Sequence, residues 1–233
     1  MCNALCMEFG EQNLKHEEIK GKRVLEIGSY DVNGSLRSVI ERFSPSEYIG
    51  VDITKGYGVD VICSADDVRR RFGDDRFDVV VSTEMMEHVH DWRKVISNMK
   101  NITAPNGVVL LTTRSAGFGY HGYPYDFWRF ETSDMKDIFS DFVIERLESD
   151  PLEPGVPIKA KKPVTFKEKD LSQVELFSII TGTRSKDIEP DTLKVFLQHN
   201  AGKYDRPQKQ SLKKRAKRSI RDISWRLKKL IKV

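Results

Sequence analysis

The sequence predicts a doubly wound α/β domain on a mostly parallel sheet, and three observations carry that reading. From residue 22 onward, short runs rich in valine and isoleucine alternate with segments of helical periodicity, the pattern of buried parallel strands joined by crossover helices. The first two runs close on Gly28 and Asp52, residue types that suit the carboxyl ends of strands where such sheets take ligands. The chain has 233 residues, 39% hydrophobic and 32% charged. That is enough for one full domain and an appendage, with no apolar stretch near the roughly 20 residues of a membrane span.

Taken in order, Arg23–Ile27 is the first strand, short and apolar. Residues 35–43 place Leu36, Val39, Ile40 and Phe43 on one helical face ahead of Pro45. Strands follow at 48–51 and 59–63, then a helix over 65–72 and a turn at Gly73-Asp74-Asp75. Residues 77–82 (FDVVVS) form a fourth strand, 92–102 a helix stopping near Pro105-Asn106-Gly107, and 108–113 (VVLLTT) a fifth strand. Residues 114–130 (RSAGFGYHGYPYDFWRF) break the rhythm with a long aromatic, glycine-rich loop, and such loops are more often functional than decorative. A helix over 132–139, capped by Thr132 or Ser133, and strands at 142–147 and 156–159 complete a seven-stranded sheet. Past Pro163 the pattern weakens to two short helices near 171–180 and 190–199. The expected organisation is therefore a domain over 1–163, a helical extension over 164–202 and a basic tail over 203–233.

Charge is distributed unevenly. Residues 203–233 hold 13 Lys/Arg against Asp205 and Asp222, a local +11; since the whole chain is +4, the other 202 residues carry −7. Three cysteines, Cys2, Cys6 and Cys63, are an odd, sparse set suited to a reducing compartment. No second Cys/His pair joins Cys2 and Cys6, so no metal site is expected from them. The first residues lack a basic, then apolar, secretory pattern, and a cytoplasmic location is expected.

Residues 24–35 read VLEIGSYDVNGS. A carboxylate at the end of a buried strand is costly without a partner, which a cationic ligand or loop donors would supply for Glu26. Gly28 and Gly34 allow close backbone approach. The spacing is not GxGxxG, which disfavours a nicotinamide dehydrogenase. VLEIG, a second strand ending in Asp52, and FDVVVSTEMMEHV together resemble class I S-adenosylmethionine-dependent methyltransferases, and more narrowly the small type 11 group. The likeness spans about residues 20–163 and includes GVPIKAKKP as the last, antiparallel strand of a Rossmann-like sheet. The loop departs from it, with GSYDVNG in place of a GxG core.

The resemblance implies S-adenosylmethionine as cofactor. It puts Glu26 and Gly28 at the methionine end, with Ser29 and Gly34 in the same loop. Asp52 would take the ribose hydroxyls with Ile53 beside it, Ala65 and Asp66 the adenine, and Thr83 and Glu84 the pocket floor. Each has a plainer alternative: Asp52 as a cap of the next turn, Asp66 with Asp67 as helix caps, Glu87 as a solvated helix face, His88 as a packed histidine. Methyl transfer to a hydroxyl calls for a base. Of His121, Asp126, His88 and Glu84, His121 comes first, between glycines 119 and 122 in the loop on the substrate side, and His88 second. Tyr123, Asp126, Trp128 and Arg129 are the expected substrate-binding groups, an aromatic wall with polar interruptions suited to a sugar; Asp126 and Arg129 could instead pair, and the aromatics could cover the sheet edge. The reading that follows is an O-methyltransferase of a small hydroxylated or glycan acceptor. Its rivals are an RNA methyltransferase, opposed by the acidic body and by STEMME where N/D-P-P-Y/F would stand, and a nonenzymatic cofactor-binding module.

In residues 211–232, Leu212, Ala216, Ile220, Ile223, Leu227 and Leu230 step by three or four while basic residues fill the other side. That suits a helix lying on an anionic membrane surface, at the inner face of the membrane, although Trp225 falls on the basic side. A helix of about 33 Å at 1.5 Å per residue is expected. Deleting 203–233 should abolish binding to anionic vesicles, which salt should also weaken, and leave cofactor affinity unchanged. Unfolding on deletion would show the tail docked on the body instead.

Overall fold

The computed structural model describes residues 4–32, 34–122 and 125–200. In chain order the elements are α1 (Ala4–Asn13), α2 (His16–Ile19), β1 (Arg23–Ile27), α3 (Arg37–Glu41), β2 (Glu47–Asp52), β3 (Val61–Ile62), α4 (Val68–Phe72), β4 (Phe77–Thr83), α5 (Trp92–Ile102), β5 (Thr103–Arg114), β6 (Trp128–Arg129), α6 (Thr132–Ile138), β7 (Val143–Leu147), β8 (Gly155–Lys161), β9 (Leu176–Ser178), β10 (Arg184–Ser185) and α7 (Pro190–His199). Single 3-10 turns, Ala65–Asp67 and Met86–His88, precede α4 and α5.

Seven strands form one sheet in the order β3-β2-β1-β4-β5-β8-β7. β1 pairs in parallel with both β2 and β4, and β4 with β5. β8 runs antiparallel to β5 and to β7, so it is the one reversed strand, as expected. The chain winds outward from β1 to β3 and then returns to β4 on the other side of β1. The strand order therefore switches direction between β1 and β4, and ligands of open α/β sheets bind at the carboxyl ends of the strands there. Val79, Val80 and Val81 of β4 are wholly buried at the centre.

The helices before β1 were not expected. α1 places Leu5, Cys6 and Phe9 in the core and presses its backbone on Leu36: a Cβ on Gly10 would lie 2.3 Å from a Leu36 methyl. Phe9, Leu14 and Ile19 join Val24, Leu36, Val39, Ile40, Val79, Val81 and Leu110 in one cluster. α3 is shorter than the 35–43 expected, because the Ser35 hydroxyl turns to Glu26 and also accepts from the Arg37 N–H. β5 starts five residues early. Thr103 closes α5 by donating to the Met99 carbonyl (2.6 Å) and already pairs with Phe77. The turn at Pro105-Asn106-Gly107, with Asn106 at φ +63, is a register shift inside the strand.

The helix expected near 171–180 is corrected. Residues 176–178 are strand β9, which pairs with β10 and with β6 in a small second sheet, Trp128 opposite Ser178 and Arg129 opposite Phe177. Leu176 and Ser178 are buried while Phe177 is only partly so, the two-residue period of a strand. The extension is thus strand-bearing before it becomes helical. The chain divides into two units after Leu193, within α7. The amphipathic helix expected over 211–232 lies outside the described residues. Among the described residues no helix is long and apolar enough to cross a membrane.

Candidate active site

Glu26 closes β1 and is 2% exposed. Its carboxylate accepts from the Ser35 hydroxyl (3.2 Å to each oxygen) and the Tyr48 hydroxyl (2.6 Å). Burial outweighs those donors and pushes its pKa up to about 7. Beyond it the chain turns through Gly28 at φ +81, and the N–H groups of Gly28 and Ser29 both donate to the Val51 carbonyl (2.9 and 3.0 Å). A Cβ on Gly28 would stand 2.7 Å from the Met85 side chain, so conformation and the closeness of the segment after β4 both demand glycine. Gly34 donates to Asp31 (2.7 Å) and sets the far end of the loop.

Asp52, at the carboxyl end of β2, accepts from the backbone of Thr54 (3.0 Å) and of Tyr30 (3.3 Å), tying the loop after β2 to the loop after β1. Each oxygen keeps a second lone pair. Ile53 and Ile62 are 62% and 60% exposed and, with Cys63, Ser64 and Asp67, line an open cleft. Ser64 caps the turn at 65–67 by accepting from the Asp66 N–H (3.3 Å) and donating to the Asp66 carboxylate (3.0 Å). The Asn98 amide donates to the carbonyls of Ala65 and Asp66 (both 2.9 Å). Asn98 fixes this segment from α5, and nothing in the sequence pointed to it.

A second group of polar residues lies at the carboxyl ends of β4 and β5. Thr83 is buried opposite Thr112. Glu84 follows at φ +53, a conformation that non-glycine residues rarely hold without support. The Thr112 hydroxyl (3.1 Å) and the Arg114 guanidinium grip its carboxylate. Burial, with Cys6 and Glu87 nearby, pushes Glu84 well up. Glu87, expected on a solvated face, is instead fully buried; Thr113 donates to one oxygen (2.9 Å), while the other faces His121 Nε2 (3.4 Å) and His88 Nε2 (3.9 Å). Burial alone would raise Glu87, but the His121 imidazole and the neighbouring charges reverse that and hold it below the usual carboxylate range. His88 and His121 meet edge to face, 4.8 Å between centroids. His88 Nδ1 lies 2.6 Å from the Tyr125 carbonyl, which can only accept, so Nδ1 carries the proton and Nε2 a lone pair. Burial lowers the pKa of His88. Burial also acts to lower His121, but Asp126 and Glu87 outweigh it and lift His121 to about 9.

The loop after β5 corrects part of the expected acceptor site. Asp126 and Arg129 are both buried and joined by two bonds, 2.5 and 2.7 Å. Arg129 also donates to the carbonyls of Phe118 (3.1 Å), Gly119 (3.1 Å) and Trp128 (2.7 Å). Asp126 accepts from the His121 backbone (2.9 Å) and lies 2.9 Å from His121 Nδ1. These two residues shape the loop and aim His121; they do not face an acceptor. Trp128 is 1% exposed with its N–H on the His90 carbonyl (3.0 Å), and Phe127 and Phe130 are also buried. These three aromatics are core. Tyr123 lies outside the described residues, and Tyr125 remains 40% exposed.

A methyltransferase-domain family model matches residues 4–145, more than half of the chain. Solved structures share the architecture. An S-adenosylmethionine-dependent methyltransferase from Mesorhizobium loti is 16% identical over 66% of this chain and 96% of its own, with a TM-score of 0.52. The 1,6-didemethyltoxoflavin-N1-methyltransferase of Burkholderia thailandensis is 12% identical over 68% and 78%, TM-score 0.54. A methyltransferase solved in complex with the Trm112 activator of Haloferax volcanii is 13% identical over 69% and 90%, TM-score 0.54. No curated protein sequence matches. The sheet order and the crevice at its switch point are those of the class I S-adenosylmethionine-dependent methyltransferases. The chain belongs to the methyltransferase-domain family.

The loop geometry yields a stability test. Arg129→Ala would strand the buried Asp126 carboxylate and three carbonyls, and should destabilise the fold by about 3–5 kcal/mol in urea denaturation. Arg129→Lys should recover only part of that, because an ammonium cannot reproduce the planar fork.

Proposed function

We propose that this protein is an O-methyltransferase acting on a small hydroxylated acceptor, such as a sugar. The observation that supports it most is the convergence of the Glu87 carboxylate and the two imidazoles of His88 and His121 at the carboxyl ends of the central strands, one residue from the segment that packs on Gly28. On this reading Glu26 faces the cofactor's ammonium, and the loop of Gly28, Ser29 and Gly34 surrounds its methionine end. Asp52 takes the ribose hydroxyls beside Ile53, and Ala65 and Asp66 border the adenine. Thr83 and Glu84 form the floor. The acceptor hydroxyl lies at the imidazoles. Bound at those cofactor residues, S-adenosylmethionine would supply an electrophilic methyl group, and the protein's part is to hold the acceptor oxygen in line with it. The hydroxyl proton passes to an imidazole. Tautomer geometry favours His88 for this step over His121, whose two nitrogens both face carboxylates. The net −7 of residues 1–202 opposes an RNA acceptor.

Labelled S-adenosylmethionine offered with a panel of sugars, phenols and amines tests the reading. Label in an O-methyl ether is the expected result; label only on nitrogen or carbon overturns it. Glu26 supplies an independent check with opposite signs for stability and binding. Its pKa stands near 7 in the folded protein against 4.5 ordinarily, so between those values the folded state holds the extra proton and stability falls as pH rises. Glu26→Gln should therefore be more stable than the parent at pH 8, by about 1–3 kcal/mol, and no more stable at pH 4. The same change should weaken cofactor binding at least tenfold in calorimetry, since it loses a charge-assisted bond to the ammonium. Parent affinity should fall as pH drops below 7, where Glu26 takes up its proton.

A further inference from the structure

We propose that Glu87, His88 and His121 together bind a divalent transition-metal cation, which takes the acceptor's oxygen as a further ligand. This deepens the proposed methyl-transfer reading and rests on it for the role of the ion, although not for its binding.

Four observations converge. The Glu87 oxygen that faces the imidazoles is buried and makes no hydrogen bond among the described residues, whereas its twin accepts from Thr113. Both Nε2 atoms face that oxygen, at 3.4 and 3.9 Å, and the three donor atoms lie within 4.8 Å of one another. A triangle of that size has a point about 2.4 Å from all three corners, close to the 2.0–2.2 Å of zinc–nitrogen and zinc–oxygen bonds. Each imidazole has a partner at its other nitrogen, His88 in a hydrogen bond with the Tyr125 carbonyl at 2.6 Å and His121 in an ion-pair contact with Asp126 at 2.9 Å, and Arg129 holds Asp126 in turn. Ligating histidines are oriented in this way, by a carbonyl or carboxylate on the far nitrogen. Finally, the Glu87 side chain is 0% exposed but those of His88 and His121 are 20% and 16% exposed, so the cluster has one sealed side and one open side.

The donor set says which cation. Two imidazoles and one carboxylate suit zinc, cobalt, nickel, manganese or ferrous iron, and suit magnesium or calcium poorly. Three protein ligands leave positions for an oxygen ligand, the composition of catalytic rather than structural sites. Bound to the cation, an acceptor hydroxyl is acidified as metal-bound water is. The hydroxyl proton leaves to solvent, the bound oxygen attacks the sulfonium methyl, and the thioether departs. Neither imidazole then has to act as the base. The rival occupant of the same point is a proton shared between His121 and Glu87.

Chelator-stripped protein titrated with cobalt(II) and with zinc(II), read by calorimetry and by cobalt d–d absorption, decides between them. One equivalent should bind, with a visible spectrum of nitrogen and oxygen ligation and no thiolate charge-transfer band. Glu87→Gln and His88→Asn should each weaken binding at least tenfold, with circular dichroism confirming the fold, while Cys63→Ser should not change it. A folded parent that takes up no stoichiometric ion, or ion affinity unchanged in both site variants, overturns the proposal. Because the titration needs neither acceptor nor cofactor, failure of the metal site and failure of the methyl-transfer reading register separately.

Discussion

The Glu87 carboxylate has no contact with water, and the architecture at the carboxyl ends of the central strands is arranged around that constraint. An ionised group removed from solvent is several kcal/mol uphill unless charges and donors surround it. Thr113 reaches it from β5, His88 from its own turn and His121 from the loop after β5. The Phe127 N–H donates to the Glu87 carbonyl (2.8 Å) and fastens the returning end of that loop to the same residue. Backbone and side chain of one residue thus fix both ends of the segment that closes this side of the sheet.

The small sheet acquires its purpose from the same constraint. His121 can be aimed at Glu87 only if Asp126 is immobile, and Asp126 is immobile because Arg129 grips it while sitting in β6. β6 in turn pairs with β9, and the Ile179 N–H donates to the Phe127 carbonyl (2.9 Å). Residues 176–185, distant in sequence, therefore support the geometry of His121. Arg184 adds a further tie, its guanidinium 2.6 Å from the buried Asp134 at the start of α6. Polar contacts from Glu87 to Arg184 thus tie the loop after β5 and the small sheet together.

The strands of the main sheet were legible because their signal is local. FDVVVS and VVLLTT are too short and too apolar for anything but buried strands, and the order of the elements forces the crossovers. The 176–178 strand was not legible. Its period is evident only once β6 offers an edge to pair with, and a run such as LFSII fits a helix equally well. α1 was missed because ALCMEFGEQN carries a glycine inside it; Gly10 lets the helix settle on Leu36, which is a tertiary fact. In the site, strand-end positions were readable from the sequence: Glu26, Gly28 and Asp52 stand at or beside the carboxyl ends of β1 and β2. Asp126, Trp128 and Arg129 were misassigned because composition does not distinguish an aromatic surface from an aromatic core. For Glu87 the sequence offered only a solvated helix face as an alternative, although E-M-M-E-H directly after a buried strand is a signal that the chain has not yet reached the surface.

Two buried carboxylates divide the crevice between them, and their opposite electrostatics explain the division. Glu26 has hydroxyl donors, from Ser35 and Tyr48, but no cation bonded to it, and its pKa stands raised to about 7. Glu87 has imidazoles and the charge of nearby Arg114, and its pKa is lowered. A neutral or half-protonated Glu26 is the state of a site built to receive a positive group that arrives and leaves, since ionisation becomes favourable only when that group is present. An ionised Glu87 is the state of a site whose positive partner is held in place by the protein. The transient cation belongs at the end of β1, where the cofactor's ammonium lies in the proposed reading. The standing one belongs at the ends of β4 and β5, where imidazoles and a buried carboxylate already converge. On the proposed reading the sheet needs both sides, because a sulfonium methyl reacts only when an oxygen is held in line with it, and β1 and β4 are adjacent strands.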